Sequence, residues 1–106
     1  MNKYHARKTV VDGITFDSQA EASRYATLRL LEKAGRISKL QLQPRFKLLI
    51  NDIRVTTYIG DFSYVDEVGE MAGATIVEDV KGVKTPLYRL KKKLMWACLG
   101  IEIRES

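Results

Sequence analysis

The first third of the chain switches from period-two alternation to helical spacing of its apolar residues. Residues 9–16 (TVVDGITF) contain two short β-prone runs around Asp12 and Gly13, a residue pair favoured in two-residue hairpin turns. Ser18 is a good helix N-cap, and Gly35 supplies a helix stop. Between these two residues, apolar positions recur at near-helical spacing at Ala20, Tyr25, Leu28, Leu31 and Ala34. The pattern predicts a β-hairpin followed by one helix.

The middle of the chain alternates as β-strands do. Residues 40–50 (LQLQPRFKLLI) predict one strand in which Pro44 marks an edge, a bend or a break. Residues 56–65 (TTYIGDFSYV) are rich in aromatic and β-branched residues and predict a second strand. Residues 75–80 (TIVEDV) form a short, mostly apolar run that predicts a third strand.

Helical spacing returns after residue 84. Thr85 and Pro86 are typical of a helix start, with threonine as the N-cap and proline at the first helical position. The helix is predicted to end at Gly100, and residues 101–104 predict a last strand. The core-facing side of this helix is predicted to contain Leu87, Leu90, Leu94 and Ala97. Without the N-terminal hairpin the predicted order is α-β-β-β-α-β, an α/β fold with a mixed sheet flanked by helices.

Length and composition narrow the class of protein. A chain of 106 residues fits one domain, residues 1–106, and its 45% hydrophobic and 29% charged residues exclude a disordered or collagen-like chain. The single cysteine, Cys98, has no partner for an internal disulfide, and the sequence has no Cys/His cluster for zinc. No apolar run approaches the roughly 20 residues needed to span a membrane. We therefore expect a cytoplasmic protein without a membrane partner.

Charge is distributed unevenly along the chain. There are 18 basic and 13 acidic residues, which gives a net charge of +5 at pH 7 and makes anionic partners plausible. Residues 1–8, a basic N-terminal arm, and residues 84–93 contain no acidic residue, whereas residues 61–80 contain six acids and no Lys or Arg. Such an acidic block is of little use to a plain nucleic-acid binder. It suits an enzyme that must hold a divalent cation beside a phosphate.

The acidic block contains a candidate metal site. Asp79 and Lys81 are two residues apart near the end of a predicted strand, so their side chains are expected on the same face. Asp61 lies on the preceding predicted strand, which would pair beside it. Two converging carboxylates are costly unless a cation or a shared proton intervenes, and Mg²⁺ binds a few carboxylates while keeping positions for water and phosphate oxygens. Short acidic-basic triplets are common, so a solvated strand end remains the alternative on these residues alone.

The order of these features along the chain resembles the PD-(D/E)xK nucleases, which have the restriction-endonuclease-like fold. The resemblance is carried by Glu21 on the first helix, by residues 58–62 (YIGDF) and by residues 77–82 (VEDVKG). Residues 91–94 and 100–105 are similar to the end of small phage junction-resolving endonucleases. From about residue 4 to residue 105 the chain also resembles a family of small phage proteins of formerly unknown function. Two departures are Gly60 in place of the motif's proline and Asp79 in place of the more frequent glutamate.

The resemblance implies a DNA endonuclease that uses Mg²⁺ or Mn²⁺ to hydrolyse phosphodiester bonds. Asp61 and Asp79 would bind the metal, Glu21 would ligate it or order its water, and Lys81 would help to activate the nucleophile. The implied product has a 5′-phosphate and a 3′-hydroxyl. Branched DNA such as a Holliday junction is the implied substrate, in phage recombination or replication. Such a junction has two-fold symmetry and needs paired cuts, so we expect a homodimer.

Three polar positions have alternative interpretations. Glu21 completes a capping box with Ser18, in which its carboxylate would bond back to the start of the helix. Glu78, next to Asp79, is either an alternative metal ligand or a supporting acid, and on a strand buried on both faces it needs a partner of its own. Gln43 shares with Gln41 a strand face that points either to the site or to solvent.

Cations near the candidate site are predicted to grip DNA phosphates in a salt-sensitive, sequence-independent way. The alternative is that the lysines form a solvated helix face. Trp96 either stacks on a base or, as is more usual for tryptophan, packs in the protein or rims an interface. A nuclease of another substrate preference, or a basic DNA-binding module that keeps the fold without catalysis, are the rival functions. The predicted DNA-binding residues are Lys3, Arg7, Lys8, Gln43, Lys84, Arg89, Lys91, Lys92 and Lys93.

Overall fold

The computed structural model describes residues 7–80 and 84–106. Lys3 and Lys81, two of the predicted functional residues, lie outside the described residues. In chain order the elements are β1 (Thr9–Val11), β2 (Ile14–Phe16), α1 (Gln19–Lys33), β3 (Ile37–Leu42), β4 (Arg45–Ile50), β5 (Ile53–Ile59), β6 (Phe62–Asp66), β7 (Thr75–Asp79), α2 (Pro86–Leu99) and β8 (Ile103–Glu105).

Local turn and capping residues form the N-terminal elements as predicted. β1 and β2 pair antiparallel, and Asp12 and Gly13 in the turn between them have φ angles of 52° and 75°, the positive values that the tight hairpin turn requires. Ser18 caps α1, because its Oγ accepts a hydrogen bond from the backbone N–H of Glu21 at 3.2 Å. The predicted hairpin and first helix are therefore confirmed.

The central sheet is mixed and has four strands in the order β3-β6-β7-β8. β3, β6 and β7 pair antiparallel, and β7 pairs with β8 in parallel. The α/β class with a mixed sheet, two helices and an N-terminal hairpin is confirmed. Among the described residues, neither helix combines the length and the apolar character needed to cross a membrane.

The number of strands in the middle of the chain differs from the prediction. Residues 40–50 and 56–65 were each expected to form one strand, but each range is interrupted, at Gln43–Pro44 and at Gly60–Asp61. β4 and β5 instead pair with each other as a separate two-stranded hairpin, closed by Asn51 and Asp52 with φ angles of 51° and 63°. After the N-terminal hairpin, the described order is therefore α-β-β-β-β-β-α-β rather than α-β-β-β-α-β.

The sheet separates two apolar clusters, one under each helix. Ile76 and Val80 pack with Ala22, Tyr25 and Leu28 of α1. Val77, on the other face of β7, packs with a second cluster that contains Leu48, Tyr58, Met95 and Ile103. Side chains alternate along a strand, so Glu78 faces α1 and Asp79 faces α2. β7 therefore sends its two adjacent acids to opposite sides of the sheet.

The inward face of α2 is the predicted one only at Leu94, which packs against the second cluster, whereas Leu87, Leu90 and Ala97 are exposed. Leu87 and Leu90 are 57% and 50% exposed, whereas Met95 is fully buried and Tyr88 and Cys98 are half-buried. Both sides of this helix are apolar, so periodicity alone does not distinguish them. The helix rests on the β4–β5 hairpin with its larger, more adaptable Tyr and Met side chains inward. The predicted helix bounds are confirmed by the Thr85 cap and by Gly100 at φ 66°.

Candidate functional site

Asp61 lies at the break between β5 and β6, where backbone hydrogen bonds hold the chain on two sides. The N–H of Gly60 donates to the carbonyl of Pro44 at 3.0 Å, and the N–H of Gln43 donates to the carbonyl of Asp61 at 2.9 Å. On the other side, the N–H of Asp61 donates to the carbonyl of Glu78 at 3.0 Å. The two strand breaks therefore support each other and fix Asp61 beside the end of β7.

The carboxylate of Asp61 reaches the segment that contains the Asp-Val-Lys triplet. Its Oδ2 accepts a hydrogen bond from the backbone N–H of Val80 at 2.7 Å. Val80 directly follows Asp79 and directly precedes Lys81 in the sequence. The fold therefore brings the first predicted aspartate next to the residue that follows the second, although 17 residues separate the two aspartates in the sequence.

Gly60 leaves little room for a side chain beside this aspartate. A Cβ at this position would lie 3.2 Å from Cγ1 of Val77 and 3.3 Å from Cε2 of Tyr58. Both contacts are with buried core residues that have little space to move. Gly60 is therefore the residue that lets the β5–β6 break lie close against β7.

Asp79 lies on the α2 side of the sheet, with a tyrosine hydroxyl on its carboxylate. Oδ2 of Asp79 accepts a hydrogen bond from the hydroxyl of Tyr58 at 3.0 Å. Burial raises the pKa of Tyr58, and the negative charges of Asp79 and Asp61 raise it further. Burial also raises the pKa of Tyr88, together with its hydrogen bond to Glu105 and the charges of the same two aspartates. Both tyrosines therefore stay protonated as donors, and both experience the negative potential of Asp61 and Asp79.

These two carboxylates have the donor chemistry that a hard divalent cation requires. Mg²⁺ is commonly bound by one or two protein carboxylates, with water and substrate phosphate oxygens completing the octahedron. Within residues 7–80 and 84–106, no group of three or more His, Cys, Asp or Glu side chains could hold a metal. The described residues thus bring together Asp61 and Asp79 without joining Glu21 to them as a third ligand.

Glu21 is buried in the first turn of α1, with 8% of its surface exposed. Its backbone N–H makes the Ser18 cap, which is one half of the predicted capping box. The start of α1 lies near the end of β7, because Ala20 and Val80 line the same shallow cavity. The backbone of Glu21 therefore serves the cap, while its carboxylate is held inside the protein, not out in solvent. A role near the metal stays a prediction.

Glu78 is buried and forms an ion pair with Arg24. Its fully buried carboxylate accepts two hydrogen bonds from Arg24, at 2.7 Å from Nε and 2.6 Å from Nη2, and one from the hydroxyl of Tyr64. Burial opposes ionisation of Glu78, but the bonds from Arg24 and Tyr64 outweigh it and lower the pKa. Both carboxylate oxygens are occupied on the α1 side of the sheet. We therefore place Glu78 in a structural ion pair and favour Asp79 as the acid of the candidate metal site.

The basic residues of α2 face two directions. Lys91 shares a small cavity with Tyr58 and Asp79. Lys84 and Lys92 instead contact Glu105, and Lys92 does so at 3.5 Å. The hydrogen bond from Lys84 and that from Tyr88 lower the pKa of Glu105 to about 2. The basic run is therefore not one solvated stripe, because Lys91 lies near Asp79 while Lys84 and Lys92 lie at the edge strand β8.

The remaining predicted DNA-binding residues lie at the surface. Arg7 and Lys8 are exposed where the described chain begins. Gln43 is exposed and has a φ of 50°, and its backbone N–H donates to the carbonyl of Asp61. Gln41 accepts a hydrogen bond from the hydroxyl of Ser63 at 3.4 Å. Sequence reasoning missed two further exposed cations, Arg45 and Lys47, on the outer face of the β4–β5 hairpin. Their period-two spacing after Pro44 was the available signal.

Sequence comparison gives a family without an assigned activity. The model of the family described as "Protein of unknown function (DUF1064)" matches residues 1–99. The chain belongs to this family. No curated protein and no solved structure matches the chain significantly. The DUF1064 match includes Asp61, Asp79 and all of α2, whereas β8 with Glu105 lies beyond it.

Proposed function

We propose that this DUF1064 protein is a metal-dependent DNA endonuclease with a PD-(D/E)xK-type site. The observation that supports it most is the hydrogen bond from the N–H of Val80 to the carboxylate of Asp61. Asp61 thereby lies against the strand end that contains Asp79 and precedes Lys81 in the sequence. This proximity supports the proposal, because the resemblance implies that both acids bind one cation.

Each residue of the site has a defined task in this proposal. Asp61 and Asp79 hold the cation, and Tyr58 orients the carboxylate of Asp79 by donating its hydroxyl proton. When bound, Mg²⁺ or Mn²⁺ supplies charge to a phosphate oxygen and lowers the pKa of a bound water. Lys81, outside the described residues, is assigned to orient the attacking water and to offset negative charge on the phosphate. Glu21 is assigned to order water at the buried side.

The substrate is proposed to be DNA held through its phosphates. Lys91 shares a cavity with Asp79, so its charge is available beside the scissile phosphate. The resemblance to junction-resolving enzymes supports a branched substrate cut by a homodimer in the cytoplasm. Paired active sites related by two-fold symmetry would then match the symmetry of a four-way junction.

A basic DNA-binding module without catalysis is the second candidate. It is favoured by one observation: the described residues assemble two carboxylates at the site, not three. Such a module would bind DNA through the same cations and would need no metal. Metal dependence therefore separates the two candidates.

A cleavage assay on labelled four-way, flap, duplex and single-stranded DNA tests the proposal. We expect cleavage with Mg²⁺ or Mn²⁺, none with a chelator, and a loss of about 100-fold or more in Asp61→Asn. Asparagine keeps an oxygen for the N–H of Val80, so the fold should persist. Asp52→Asn, at an exposed turn with positive φ that asparagine tolerates, is the matched control and should cleave normally. DNA binding without metal-dependent cleavage would support the binding module instead.

A further inference from the structure

A second cavity lies along the other side of α2. Its volume is about 710 Å³, within the roughly 300–1,000 Å³ typical of small-molecule sites. Four cations, two aromatic residues and one acid surround it. The lining residues are Lys84, Tyr88, Arg89, Lys92, Lys93, Trp96 and Glu102. This combination of cations and aromatic rings suits a ligand that has both phosphates and flat rings.

Trp96 is the unusual member of this cavity. It is the chain's single tryptophan, and it is 63% exposed on a helix whose opposite side packs into the core. Lys92 and Lys93 precede it by four and three residues, so these cations lie on the same stretch of the helix surface. Exposed aromatic rings within a basic groove are the platforms on which unpaired bases of single strands stack.

The cations are arranged around this ring rather than scattered. Lys84 and Lys92 are tied to Glu105 at the edge of β8, which fixes one wall. Arg89 and Lys93 are exposed on the same side of the helix. Glu102 lines the cavity from the segment before β8, where a carboxylate repels phosphates but accepts hydrogen bonds from base amino groups. The cavity therefore has a phosphate-attracting part and a part suited to a base.

The cavity adjoins the proposed metal site. Tyr88 lines both this cavity and the smaller one that contains Asp79. Trp96 follows Tyr88 by eight residues, or about 12 Å along the helix axis. At ~3.4 Å per nucleotide of a stacked strand, that distance is a few nucleotides. A single strand of a few nucleotides therefore spans the distance from Tyr88, which shares a cavity with Asp79, to Trp96.

We propose that this cavity binds an unpaired nucleotide of the DNA strand, with its base stacked on Trp96 and its phosphates held by Arg89 and Lys93. The inference rests on the proposed function and names the substrate class: DNA with a single-stranded segment a few nucleotides from the cut. Bases in a continuous duplex stack on each other, so their faces are not available to an indole ring. A junction arm, a flap or a splayed end presents such a base.

Fluorescence of Trp96 tests this without any catalysis, because it is the chain's single tryptophan. The full chain is titrated in chelator with an eight-nucleotide single-stranded DNA, an abasic strand of the same length and an eight-base-pair duplex. We expect quenching by the single strand, at an affinity at least about tenfold above that of the abasic strand or the duplex. Equal quenching by all three, or none by any, would overturn the proposal, as would stronger binding of the equivalent RNA.

Variants identify the residue responsible, with anisotropy of a labelled strand as the readout. Trp96→Ala should weaken binding by about tenfold or more, and Trp96→Phe should recover most of the loss because the ring can still stack. Leu90→Ala is the matched control, since Leu90 is a 50% exposed apolar residue of α2 that does not line the cavity. Unchanged binding by Trp96→Ala would overturn the stacking assignment.

The titration also separates this inference from the nuclease proposal. Base-dependent quenching in a wild-type protein that shows no metal-dependent cleavage would support the subsite and contradict the nuclease. Metal-dependent cleavage without base-dependent quenching would contradict the subsite and support the nuclease.

Discussion

The adjacent acids Glu78 and Asp79 lie on opposite faces of β7 and have different surroundings there. On the α1 face, the protein itself pairs Glu78 with the guanidinium of Arg24 and with the hydroxyl of Tyr64. On the α2 face, Asp79 accepts a hydrogen bond from Tyr58, and the charges of Asp79 and Asp61 both raise the pKa of two neighbouring tyrosines. A protein that gathers negative charge in one place creates a location for a cation. Glu78 therefore supports the fold, whereas Asp61 and Asp79 are the acids that we propose to bind a cation.

Removing the partner of Glu78 should have the largest effect on stability. We expect Arg24→Met to lower the free energy of unfolding by about 3 kcal/mol at pH 7, because it leaves a buried carboxylate without its cation. The pKa of Glu78 is lowered in the folded protein, so the pair stabilises above its ordinary value of 4.5 and this contribution is lost in acid. The difference between the variant and the wild type should therefore shrink as the pH falls.

Urea denaturation at several pH values measures this difference. Arg29→Met is the matched control on the same helix, because Arg29 makes an i,i+3 pair with Glu32 that is partly exposed. Its loss should cost about 0.5 kcal/mol or less. A similar, small cost for both variants would contradict the structural role of Glu78.

Sequence patterns correctly predicted the first hairpin turn and the helix ends, which are determined by interactions between residues close in the sequence. Asp12-Gly13, the Ser18 and Thr85 caps and the αL residue Gly100 each act within a few residues of themselves. The turn at Asn51-Asp52 was missed because the apolar runs on either side were treated as parts of longer strands. The predicted inward face of α2 was wrong at Leu87 and Leu90, although Leu94 does pack inward. The helix has two comparable apolar stripes, and its packing against the rest of the fold decides which one is buried.

For the candidate site, the sequence predicted which residues take part and their order along the chain, but not their contacts. Period two placed Glu78 and Asp79 on opposite faces, but it did not reveal that Arg24, 54 residues away, holds Glu78. Nor did it place Asp61 at a strand break, where its side chain caps the N–H of Val80. Such contacts depend on how α1 and the β5–β6 break lie against the sheet, which one sequence does not encode locally.

Tyr58→Phe perturbs the α2 face by removing one hydroxyl. We expect a loss of about 1–2 kcal/mol in unfolding free energy, because the hydroxyl donates to the charged Asp79. Cleavage activity should fall several-fold through looser orientation of Asp79, with metal titration shifting to higher concentrations. Kinetics across a range of Mn²⁺ concentrations would show the shift. Activity that falls equally at every metal concentration would contradict an orienting role.

Gly60→Ala tests whether the tight β5–β6 break positions Asp61. The added methyl group presses on Val77 and Tyr58, so we expect about 1 kcal/mol of destabilisation. Activity should fall by more than that loss of stability explains, because the neighbouring aspartate moves. Measurements at a temperature where both proteins are folded separate the two effects. Gly13→Ala is unsuitable as a control, since φ there is 75° and any side chain is strained.

The smallest effect on stability is expected for Glu105, in the edge strand β8. The pKa of Glu105 is about 2 in the folded protein, against an ordinary value of 4.5, because Lys84 and Tyr88 donate to it. Its contribution to stability is therefore present above pH 4.5 and is lost as the pH falls towards 2. Glu105→Gln should flatten the stability profile over that range. Urea midpoints at pH 2.5, 4 and 7 measure it, and parallel profiles would contradict the assignment.

Binding of Mn²⁺ measures the central claim most directly, namely that the α2 face of β7 is a cation site made by Asp61 and Asp79. Electron paramagnetic resonance of free Mn²⁺ gives the affinity of the wild type, Asp61→Asn, Asp79→Asn and Asp52→Asn. We predict equal binding by the wild type and Asp52→Asn, and binding at least about tenfold weaker in the other two variants. Equal Mn²⁺ affinity in all four proteins would contradict the site.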